Sequence, residues 1–329
     1  MKAELLRILR EAGDYVSGQR LCEQFGVSRT AVWKVMNQLK EEGYEIESVK
    51  NKGYRIREIP DVLTAQELKS RLRTRWMGRN CIYLECVDST NTEAKRLAGQ
   101  GALEGTLVLA EEQTGGKGRL GRNWSAARGE NVMMTLLLRP KIRPEHASML
   151  TLLMAMAAVR SIRKETGLEA GIKWPNDVVA HGKKLCGILT EMDTEINSIN
   201  YVVIGIGINV NQEQFPEEIR ETAGSLYLEL GKRIPRAELA AGVLEELERL
   251  YETFLQTEDL LALYEEYNGF CVHSGQEVRV TMPLKDLEVC RGIAEGINEK
   301  GELAVRKADG SVEYVYAGEV SVRGRYGYV

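Results

Sequence analysis

The order of local patterns in the first 57 residues restricts the possible folds of this chain more than any other feature. An apolar stripe predicts a first helix that ends near Gly13, and Ser17 can cap a second helix that runs through Phe25. Residues 45–57 then alternate as two strands around Asn51-Lys52-Gly53, which favours a hairpin with a basic tip. The stripe of the first helix consists of Leu5, Leu6, Ile8 and Leu9.

A third predicted helix precedes the hairpin. Gly26 suits a tight turn with positive φ, and Ser28 can cap a helix that extends to about Gly43. Three helices followed by a hairpin indicate a winged helix-turn-helix, whose third helix enters the major groove of DNA. The predicted core face of this helix is Val32, Val35, Met36 and Leu39. The residues predicted to contact DNA are Ser28, Arg29, Thr30, Trp33, Lys34, Asn37, Lys50 and Lys52.

Charge alone supports DNA binding only weakly. Residues 1–59 contain 11 Lys and Arg against 9 Asp and Glu, and the whole chain has a net charge of −4. A small helical domain whose surface merely carries Arg29, Lys34, Lys50 and Lys52 is therefore an alternative interpretation. The agreement of turn, cap and basic hairpin in order and spacing favours the winged helix-turn-helix.

The pattern changes at Pro60 and Asp61, which predict a linker. Thr64 and Glu67 have the spacing of a capping box, which indicates the start of a helix and of a second domain. A long helix is predicted from about Glu145 to Lys164, further helices within 217–267, and short strands from Gln276 to the end. The β-rich runs are Cys81 to Val87, Thr106 to Ala110, Asn131 to Leu138, Lys184 to Glu191 and Tyr201 to Ile208.

Several classes of protein disagree with the composition. The longest apolar stretch, Met149 to Val159, has about half the length that crosses a bilayer, and no basic-then-apolar leader opens the chain. We therefore expect a cytoplasmic protein that does not bind membranes. The six cysteines form no CxxC pair and the three histidines are far apart, so neither a disulfide framework nor a protein-bound metal site is expected.

The segment from Glu112 to Trp124 is the most informative for chemistry. It contains four glycines and three cations within eight residues, which predicts a flexible backbone that can wrap around an anion. It is not a Walker A loop, because no glycine lies five residues before Gly116 and Gly118 follows Lys117 where Ser or Thr is required. Taken alone, a basic surface loop is an equally good interpretation.

Four further segments add polar groups at strand ends. Asp88-Ser89-Thr90-Asn91 follows a strand and opens a helix, which offers hydroxyls and free N–H groups. Lys173 to Asp177, with the sequence KWPND, ends another strand. Lys184 directly precedes the apolar strand LCGIL, and Gly205 to Asn209 reads GIGIN, without the third glycine and following helix of a dinucleotide fingerprint.

These motifs, in this order, resemble biotin protein ligase: the Asp88–Asn91 run, the GxGRxGR loop, KWPND, KLxGIL and GIGIN. With the N-terminal winged helix and the GEVSVR segment at 318–323, the resemblance covers nearly the whole chain and is to the bifunctional ligase/repressor class. The chain departs from the family pattern at Lys117, where arginine often stands, and at Leu120, which replaces a second loop arginine. The GxGR spacing is intact.

The resemblance implies an α+β protein with three domains. Residues 1–60 would form the winged helix-turn-helix DNA-binding domain, and residues 61–272 a mixed α/β catalytic domain of the class II synthetase-like biotin ligase type. Residues 273–329 would form an SH3-like small β-barrel.

The resemblance also implies the reaction and its partners. Biotin and ATP would give biotinoyl-AMP, and biotin would then pass to a lysine of a biotin carboxyl carrier protein. Mg²⁺ would assist, with Asn176 and Asp177 possible aids to its placement. The adenylate-bound homodimer would bind operator DNA and repress transcription of biotin genes.

Site residues follow from the same resemblance. The expected catalytic residues are Lys184, Arg119 and Asp177. The expected biotin-binding residues are Ser89, Thr90, Asn91, Gln113, Gly116, Lys117, Arg119, Lys184, Gly187 and Gly205. The expected adenylate-binding residues are Lys117, Arg119, Arg122, Trp124, Asn176, Lys184, Asn209 and Arg323.

Other interpretations remain open at this point. Trp174 and Pro175 are expected to serve packing and strand termination, Asp177 is alternatively a turn-former, and Lys184 an ordinary solvated lysine. The chain as a whole is alternatively a transcription factor that only senses a small ligand, or a lipoate or octanoate ligase. Neither the cationic loop nor Lys184 would be needed by a pure ligand sensor.

Overall fold

The computed structural model describes residues 1–196, 198–318, 320–324 and 328. Its N-terminal part consists of α1 (Lys2–Ala12), α2 (Gly18–Phe25), α3 (Arg29–Glu41) and the antiparallel strands β1 (Glu45–Val49) and β2 (Gly53–Glu58). Gly13 ends α1 with a φ of 61°, as its position in the sequence predicts. The predicted winged helix-turn-helix is therefore confirmed in element order and in its turns.

Side-chain caps fix where the second and third helices start. The Ser17 hydroxyl accepts a hydrogen bond from the Arg20 amide at 3.1 Å, and the Ser28 hydroxyl accepts one from the Ala31 amide at 3.3 Å. The predicted core face of α3 is buried. This part of the chain has an apolar cluster of its own, made of Leu5, Leu6, Ile8, Leu9, Val16, Leu21, Val32, Val35, Met36, Leu39, Tyr44 and Ile46.

Helix α4 (Ala65–Arg71) joins this part to the rest of the chain. The Thr64 hydroxyl accepts from the Glu67 amide at 3.2 Å, which confirms the predicted start of the helix. The Glu67 side chain instead accepts hydrogen bonds from Arg10 and Arg71, each at 2.7 Å, and from the Tyr44 hydroxyl at 2.7 Å. Its carboxylate thus has cationic partners, and it holds α1 against α4.

The central domain is built on a seven-stranded sheet in the order β3-β4-β5-β9-β8-β7-β6, in which only the β3–β4 pair is parallel. Its strands are β3 (Cys81–Leu84), β4 (Leu107–Ala110), β5 (Val132–Leu138), β6 (Gly171–Lys173), β7 (Asp177–Ala180), β8 (Lys183–Glu195) and β9 (Ser198–Ile208). Its helices after α4 are α5 (Thr90–Gly99), α6 (Met149–Thr166), α7 (Leu226–Leu230), α8 (Arg236–Thr257) and α9 (Tyr264–Phe270).

Successive side chains along each strand point to opposite faces of this sheet, and different helices cover the two faces. Val108, Leu137 and Val203 pack with α5, whereas their sequence neighbours pack in the large cluster that contains α6 and α8. Helix α5 covers only part of its face. The glycines of β8 and β9 lie on the same face as α5, where they leave room for a site.

Four predicted boundaries were wrong by three or four residues. Strand β8 ends at Glu195 rather than Glu191 and β9 begins at Ser198 rather than Tyr201, because the two strands pair with each other beyond their apolar runs. The first strand ends at Leu84 rather than Val87, which forms only an isolated bridge with Gln113. The long helix begins at Met149 rather than near Glu145, because Pro144 opens a separate 3₁₀ turn, Pro144–His146, ahead of it.

The C-terminal part is a five-stranded antiparallel sheet in the order β13-β12-β11-β10-β14. Glu319 of the GEVSVR segment lies outside the described residues. The turn at Gly301 packs on the central domain. The Trp174 indole donates to the Gly301 carbonyl at 3.2 Å, and a Cβ on Gly301 would lie 2.7 Å from Leu152. The strands are β10 (Glu277–Met282), β11 (Leu287–Ile297), β12 (Leu303–Arg306), β13 (Val312–Val315) and β14 (Ser321–Gly324).

This sheet shares its apolar core with the central domain, since Val280, Ala294 and Val322 belong to the same buried cluster as Leu153 and Trp174. In the described part of the chain, no helix is both long and apolar enough to cross a bilayer. The cytoplasmic location stays a prediction.

Candidate active site

The glycine-rich segment forms a closed loop at the edge of the α5 face. The Gly118 amide donates to the Arg122 carbonyl at 2.7 Å, and the Trp124 amide donates to the Gly116 carbonyl at 2.9 Å. A Cβ on Gly116 would lie 2.5 Å from the Trp124 carbonyl oxygen, so the loop needs glycine there. The ring of Trp124 packs over the sheet against Gly187 and Gly207.

A small cavity of about 50 Å³ lies beside this loop. At one end of it, Gln113 Oε1 accepts hydrogen bonds from the Thr90 amide at 2.7 Å and the Thr90 hydroxyl at 2.9 Å. Nine of the ten residues predicted to bind biotin line this cavity, and Gly116 shapes the loop beside it. The lining residues with side-chain or backbone polar groups at the cavity include Ser89, Thr90, Asn91, Gln113, Lys117, Arg119, Asn176, Lys184, Gly187 and Gly205.

Asn91 is predicted to bind biotin, but both the nitrogen and the oxygen of its side-chain amide have partners within the protein. Its Nδ2 donates to the Leu189 carbonyl at 3.2 Å and to Glu191 at 2.8 Å, and its Oδ1 accepts from the Thr135 hydroxyl at 2.7 Å. Thr135 and Glu191 were missed in the sequence because each lies inside a strand, outside every motif. The Asn91 side chain therefore holds α5 to the sheet at the cavity wall.

Three strand glycines make room for the two side chains that pack on them. A Cβ on Gly187 or Gly207 would lie 2.8 or 2.4 Å from the Trp124 ring, and a Cβ on Gly205 would lie 2.0 Å from Asn91 Oδ1. The indole Nε1 of Trp124 is buried and has no hydrogen-bond partner among the described residues. A ligand oxygen could supply that partner.

Lys184 and Asp177 form an ion pair where the small cavity meets a larger one. Lys184 Nζ lies 2.6 Å from Asp177 Oδ1 and 5.6 Å from the centroid of the Trp124 ring. Burial alone would raise the pKa of Asp177, but the charges of Lys184 and Lys173 outweigh it and hold that pKa below its usual value. Asp177 is therefore an anion that orients Lys184, and neither residue is an ordinary surface group.

The larger cavity has a volume of about 390 Å³ and shares Gly118, Arg119, Trp124, Asn176 and Lys184 with the small one. Arg122, Asn209 and Arg323, all predicted to contact the adenylate, also line it. Lys117 lines only the small cavity. The Asn209 amide donates to the Gly224 carbonyl at 2.9 Å, which connects the end of β9 to the segment before α7.

Arg119 ties the glycine-rich loop to two other parts of the molecule. Its guanidinium donates to Asn176 Oδ1 at 2.5 Å, to the Val320 carbonyl at 3.2 Å and to the Gly318 carbonyl. Burial lowers the pKa of Arg119, but the side chain remains a cation. Arg119 lines both cavities, so its single charge can face a ligand in each of them.

Lys173 and Tyr328 also line the larger cavity, and neither was predicted to be a site residue. Burial lowers the pKa of Lys173 to about 8, despite the nearby Asp177 carboxylate, which acts in the opposite direction. The Tyr328 hydroxyl donates to Asp177 Oδ2. Lys173 was quoted only as the first residue of the KWPND motif, in which Asn176 and Asp177 were given the roles, and Tyr328 was overlooked because no pattern surrounds it.

The donor set does not fit a protein-held Mg²⁺ ion. Within the described residues, no group of three His, Cys, Asp or Glu side chains could hold a metal. Of the two residues expected to help place Mg²⁺, only Asp177 has a carboxylate. Its Oδ1 is paired with Lys184, and its Oδ2 accepts a hydrogen bond from Tyr328. A hard cation at this position would have to displace both.

The predicted DNA-contacting residues lie on α3, at its N-terminal cap and at the hairpin, and most of them are exposed. Trp33 is 54 % exposed on α3, Ser28 caps that helix, and Arg29 donates to Gln19 Oε1 at 3.1 Å. Lys52 at the hairpin tip lies 5.5 Å from the Tyr15 ring centroid. Arg29, Thr30, Trp33, Lys34, Lys50 and Lys52 are exposed, and Asn37 is half-buried.

Comparison with protein families gives three matches along the chain. Residues 2–55 match an HTH domain, residues 83–209 the biotin/lipoate A/B protein ligase family, and residues 273–323 the biotin protein ligase C-terminal domain. The three segments agree in order with the winged helix-turn-helix, the central sheet and the C-terminal sheet.

Similar whole proteins agree with these matches. The bifunctional ligase/repressor BirA of Bacillus subtilis is 37 % identical over 326 residues, which is 98 % of each chain. The protein of the same name from Escherichia coli is 30 % identical and covers 94 % of each chain. A solved biotin protein ligase from Aquifex aeolicus, in complex with biotin and ATP, has a TM-score of 0.65 at 30 % identity and covers 75 % of this chain and 99 % of its own. The chain therefore belongs to the biotin protein ligase family, in its bifunctional ligase/repressor class.

Proposed function

We propose that this protein is an ATP-dependent biotin protein ligase that also represses transcription from operator DNA. The observation that carries the ligase proposal is the pair of adjoining cavities with Lys184, Arg119 and Asn176 at their junction. Two ligands bound there would meet beside two cations. This is the requirement of a reaction that joins a carboxylate to a phosphate, since both reactants are anions.

In the proposed reaction, a carboxylate oxygen of biotin attacks the α-phosphorus of ATP, and pyrophosphate leaves with the electron pair of the broken P–O bond. Lys184 lies where the carboxylate would approach, so its charge offsets that of the pentavalent phosphorus centre. Asp177 keeps Lys184 in place through the 2.6 Å ion pair. Trp124, packed over Gly187 and Gly207, lines both cavities and would contact both reactants.

The second step is transfer. The ε-amine of a lysine on a biotin carboxyl carrier protein attacks the acyl carbon of biotinoyl-AMP, an amide forms, and AMP leaves. Arg119 and Asn176, at the junction, would hold the adenylate until the amine arrives. We propose that Mg²⁺ arrives as the magnesium complex of ATP, held by the phosphates of the substrate.

The ligase proposal is tested by incubating the protein with ATP, Mg²⁺ and labelled biotin or labelled lipoate, with a carrier domain as acceptor. Biotin alone should appear on the carrier. Labelled lipoate on its carrier would favour a lipoate ligase, and no transfer of either would favour a ligand-sensing transcription factor.

Lys184→Ala should lower the rate of adenylate formation about 100- to 1000-fold, the range for loss of a preorganised electrostatic donor, with a much smaller change in biotin affinity. Lys183→Ala is the matched control, because Lys183 binds the Glu221 carbonyl at 2.7 Å and lines neither of the two cavities. A uniform loss of biotin binding with unchanged turnover would contradict the role of Lys184.

We further propose that biotinoyl-AMP promotes a homodimer that binds the operator. A single winged helix with 11 basic and 9 acidic residues offers few phosphate contacts, so one copy should bind DNA weakly. Two copies would present two recognition helices to a palindromic site. Sedimentation and operator titration with and without biotinoyl-AMP test this, and an unchanged assembly state together with unchanged DNA affinity would contradict it.

A further inference from the structure

Tyr328 lines the larger cavity and contacts three charged residues there. Besides the hydrogen bond to Asp177, its ring centroid lies 4.0 Å from Lys173 Nζ and 5.3 Å from Arg323 Cζ. All four residues line the cavity. One side chain thus contacts the anion and two of the cations at the site proposed for nucleotide binding.

The hydroxyl of Tyr328 fixes the rotation of the Asp177 carboxylate. Asp177 Oδ1 receives Lys184 at 2.6 Å and Asn176 Nδ2 at 3.1 Å, whereas Oδ2 receives Tyr328. Asp177 is only 7 % exposed, so little water can replace a lost donor. Without the hydroxyl, the carboxylate can turn about its terminal torsion, and the position of Lys184 becomes less defined.

The ring has a second, separable role. Lys173 is 6 % exposed, and the face of an aromatic ring is a favourable partner for a cation that is shielded from water. Arg323 approaches the same ring from β14. The ring therefore keeps two cations together on one wall of the cavity, where the phosphates of a nucleotide could use both.

We propose that Tyr328 is a positioning residue for adenylate formation. Its hydroxyl orients Asp177 beside Lys184, and its ring holds Lys173 and Arg323 for the phosphates of ATP. This inference rests on the ligase function proposed above and assigns to the active site one residue, Tyr328, that lies beyond the last described strand.

The two roles are separated by Tyr328→Phe and Tyr328→Ala. The phenylalanine variant, which keeps the ring, should lower kcat of adenylate formation roughly 10- to 100-fold, as for the loss of a hydrogen bond to a charged group, and leave KM for ATP unchanged. The alanine variant should show the same loss in kcat and also raise KM for ATP roughly 2- to 10-fold. Tyr314→Phe, at an exposed tyrosine on β13, is the matched control.

Biotin affinity in the absence of ATP distinguishes positioning from a general structural role, because Tyr328 does not line the small cavity. Both variants should bind biotin as the original chain does. Equal losses of biotin affinity and turnover, or a Tyr328→Phe variant with the original kcat, would overturn the inference. If the alanine variant does not fold, the kcat and the biotin affinity of the phenylalanine variant distinguish a positioning role from a structural one. Failure of the unaltered chain to form biotinoyl-AMP would instead contradict the proposed function.

Discussion

The N-terminal winged helix-turn-helix packs around its own apolar core, whereas the C-terminal sheet shares one core with the central domain. The first region meets the centre through α1 on α4 and through polar groups such as Glu67, which is 1 % exposed. The second inserts the turn at Gly301 against Leu152 and Trp174, and it supplies carbonyls to Arg119. A region attached by polar groups can be lost without uncovering a core, and a region that shares the core cannot.

The linker adds a second polar attachment. Arg236, 2 % exposed at the start of α8, lies 3.1 Å from Asp61 Oδ2 and 3.0 Å from Glu111 Oε1. Asn211 also donates to Asp61 at 2.9 Å. Asp61 therefore belongs structurally with the central domain, which agrees with the domain boundary predicted at residue 60. That boundary and the one predicted at residue 272 stay predictions. Removal of the N-terminal part is expected to leave the rest of the chain folded, whereas removal of the C-terminal part is expected to unfold it.

Deletion of residues 273–329 should have the largest effect, namely loss of the folded state. Uncovering as few as five buried apolar side chains, at about 1.5–3 kcal/mol each, would offset most of the roughly 5–15 kcal/mol that stabilises a typical domain. Circular dichroism and thermal unfolding of the 1–272 fragment measure this. A cooperative unfolding transition of the fragment near that of the full chain would refute the shared core as the reason for attachment.

Arg119→Gly should come next, because it removes the contacts between the loop, Asn176 and the C-terminal sheet. Loss of hydrogen bonds from a charged group predicts release of biotinoyl-AMP roughly 10- to 100-fold faster. The freed adenylate should then label lysines of a bystander such as serum albumin. Arg128→Gly, at an exposed arginine paired with Glu85, is the control. Labelling confined to the carrier would show that Arg119 does not retain the adenylate.

Lys173, which lies over the Tyr328 ring, should make the use of ATP sensitive to pH. Since burial lowers its pKa to about 8, the ammonium loses its proton, and its attraction for phosphate, as pH rises through about 8. We expect kcat/KM for ATP to fall up to about tenfold over that range. Lys173→Arg, which stays charged, should remove the decline. An unchanged pH profile in this variant would assign the decline to another group.

The titration of Lys173 affects stability in the opposite direction, because the free energy of unfolding increases as pH rises. The folded chain binds fewer protons at Lys173 than the unfolded chain between about pH 8 and the usual lysine value. The contribution of Lys173 to the free energy of unfolding is therefore unfavourable below that window and is relieved as pH rises through it. A fall in activity without a fall in stability would separate this titration from denaturation.

Deletion of residues 1–60 should have the smallest effect on ligation. The 61–329 fragment keeps Asp61 with Arg236 and keeps Glu67 with Arg71, so biotinylation of the carrier should remain close to that of the full chain while DNA binding is lost. A 62–329 fragment, which lacks Asp61, leaves the buried Arg236 with fewer partners and should unfold at lower temperature. Loss of folding in the 61–329 fragment would show that the winged helix-turn-helix is part of the catalytic core.

Local chemistry explains why the N-terminal elements could be predicted almost to the residue. Gly13, Ser17 and Ser28 act within one turn of their own positions, through a positive φ or a side-chain cap. The site motifs were visible for a related reason, because glycines and cations concentrated in one short loop have few structural explanations. The helix start at Met149 was missed, since Pro144 permits either one helix or a turn followed by a helix.

The sequence by itself determined the order of elements, the family and a set of ligand-site residues of which all but Gly116 line at least one of the two cavities. Only the tertiary structure decided how those residues are engaged: Asn91 is engaged within the protein, Glu67 joins two domains, and Lys173 and Tyr328 join the site. Caps and turns depend on neighbours within four residues. Ion pairs, burial and shared cores depend on groups that are far apart in the chain, such as Tyr328 and Asp177, and no local pattern records which of them the fold will bring together.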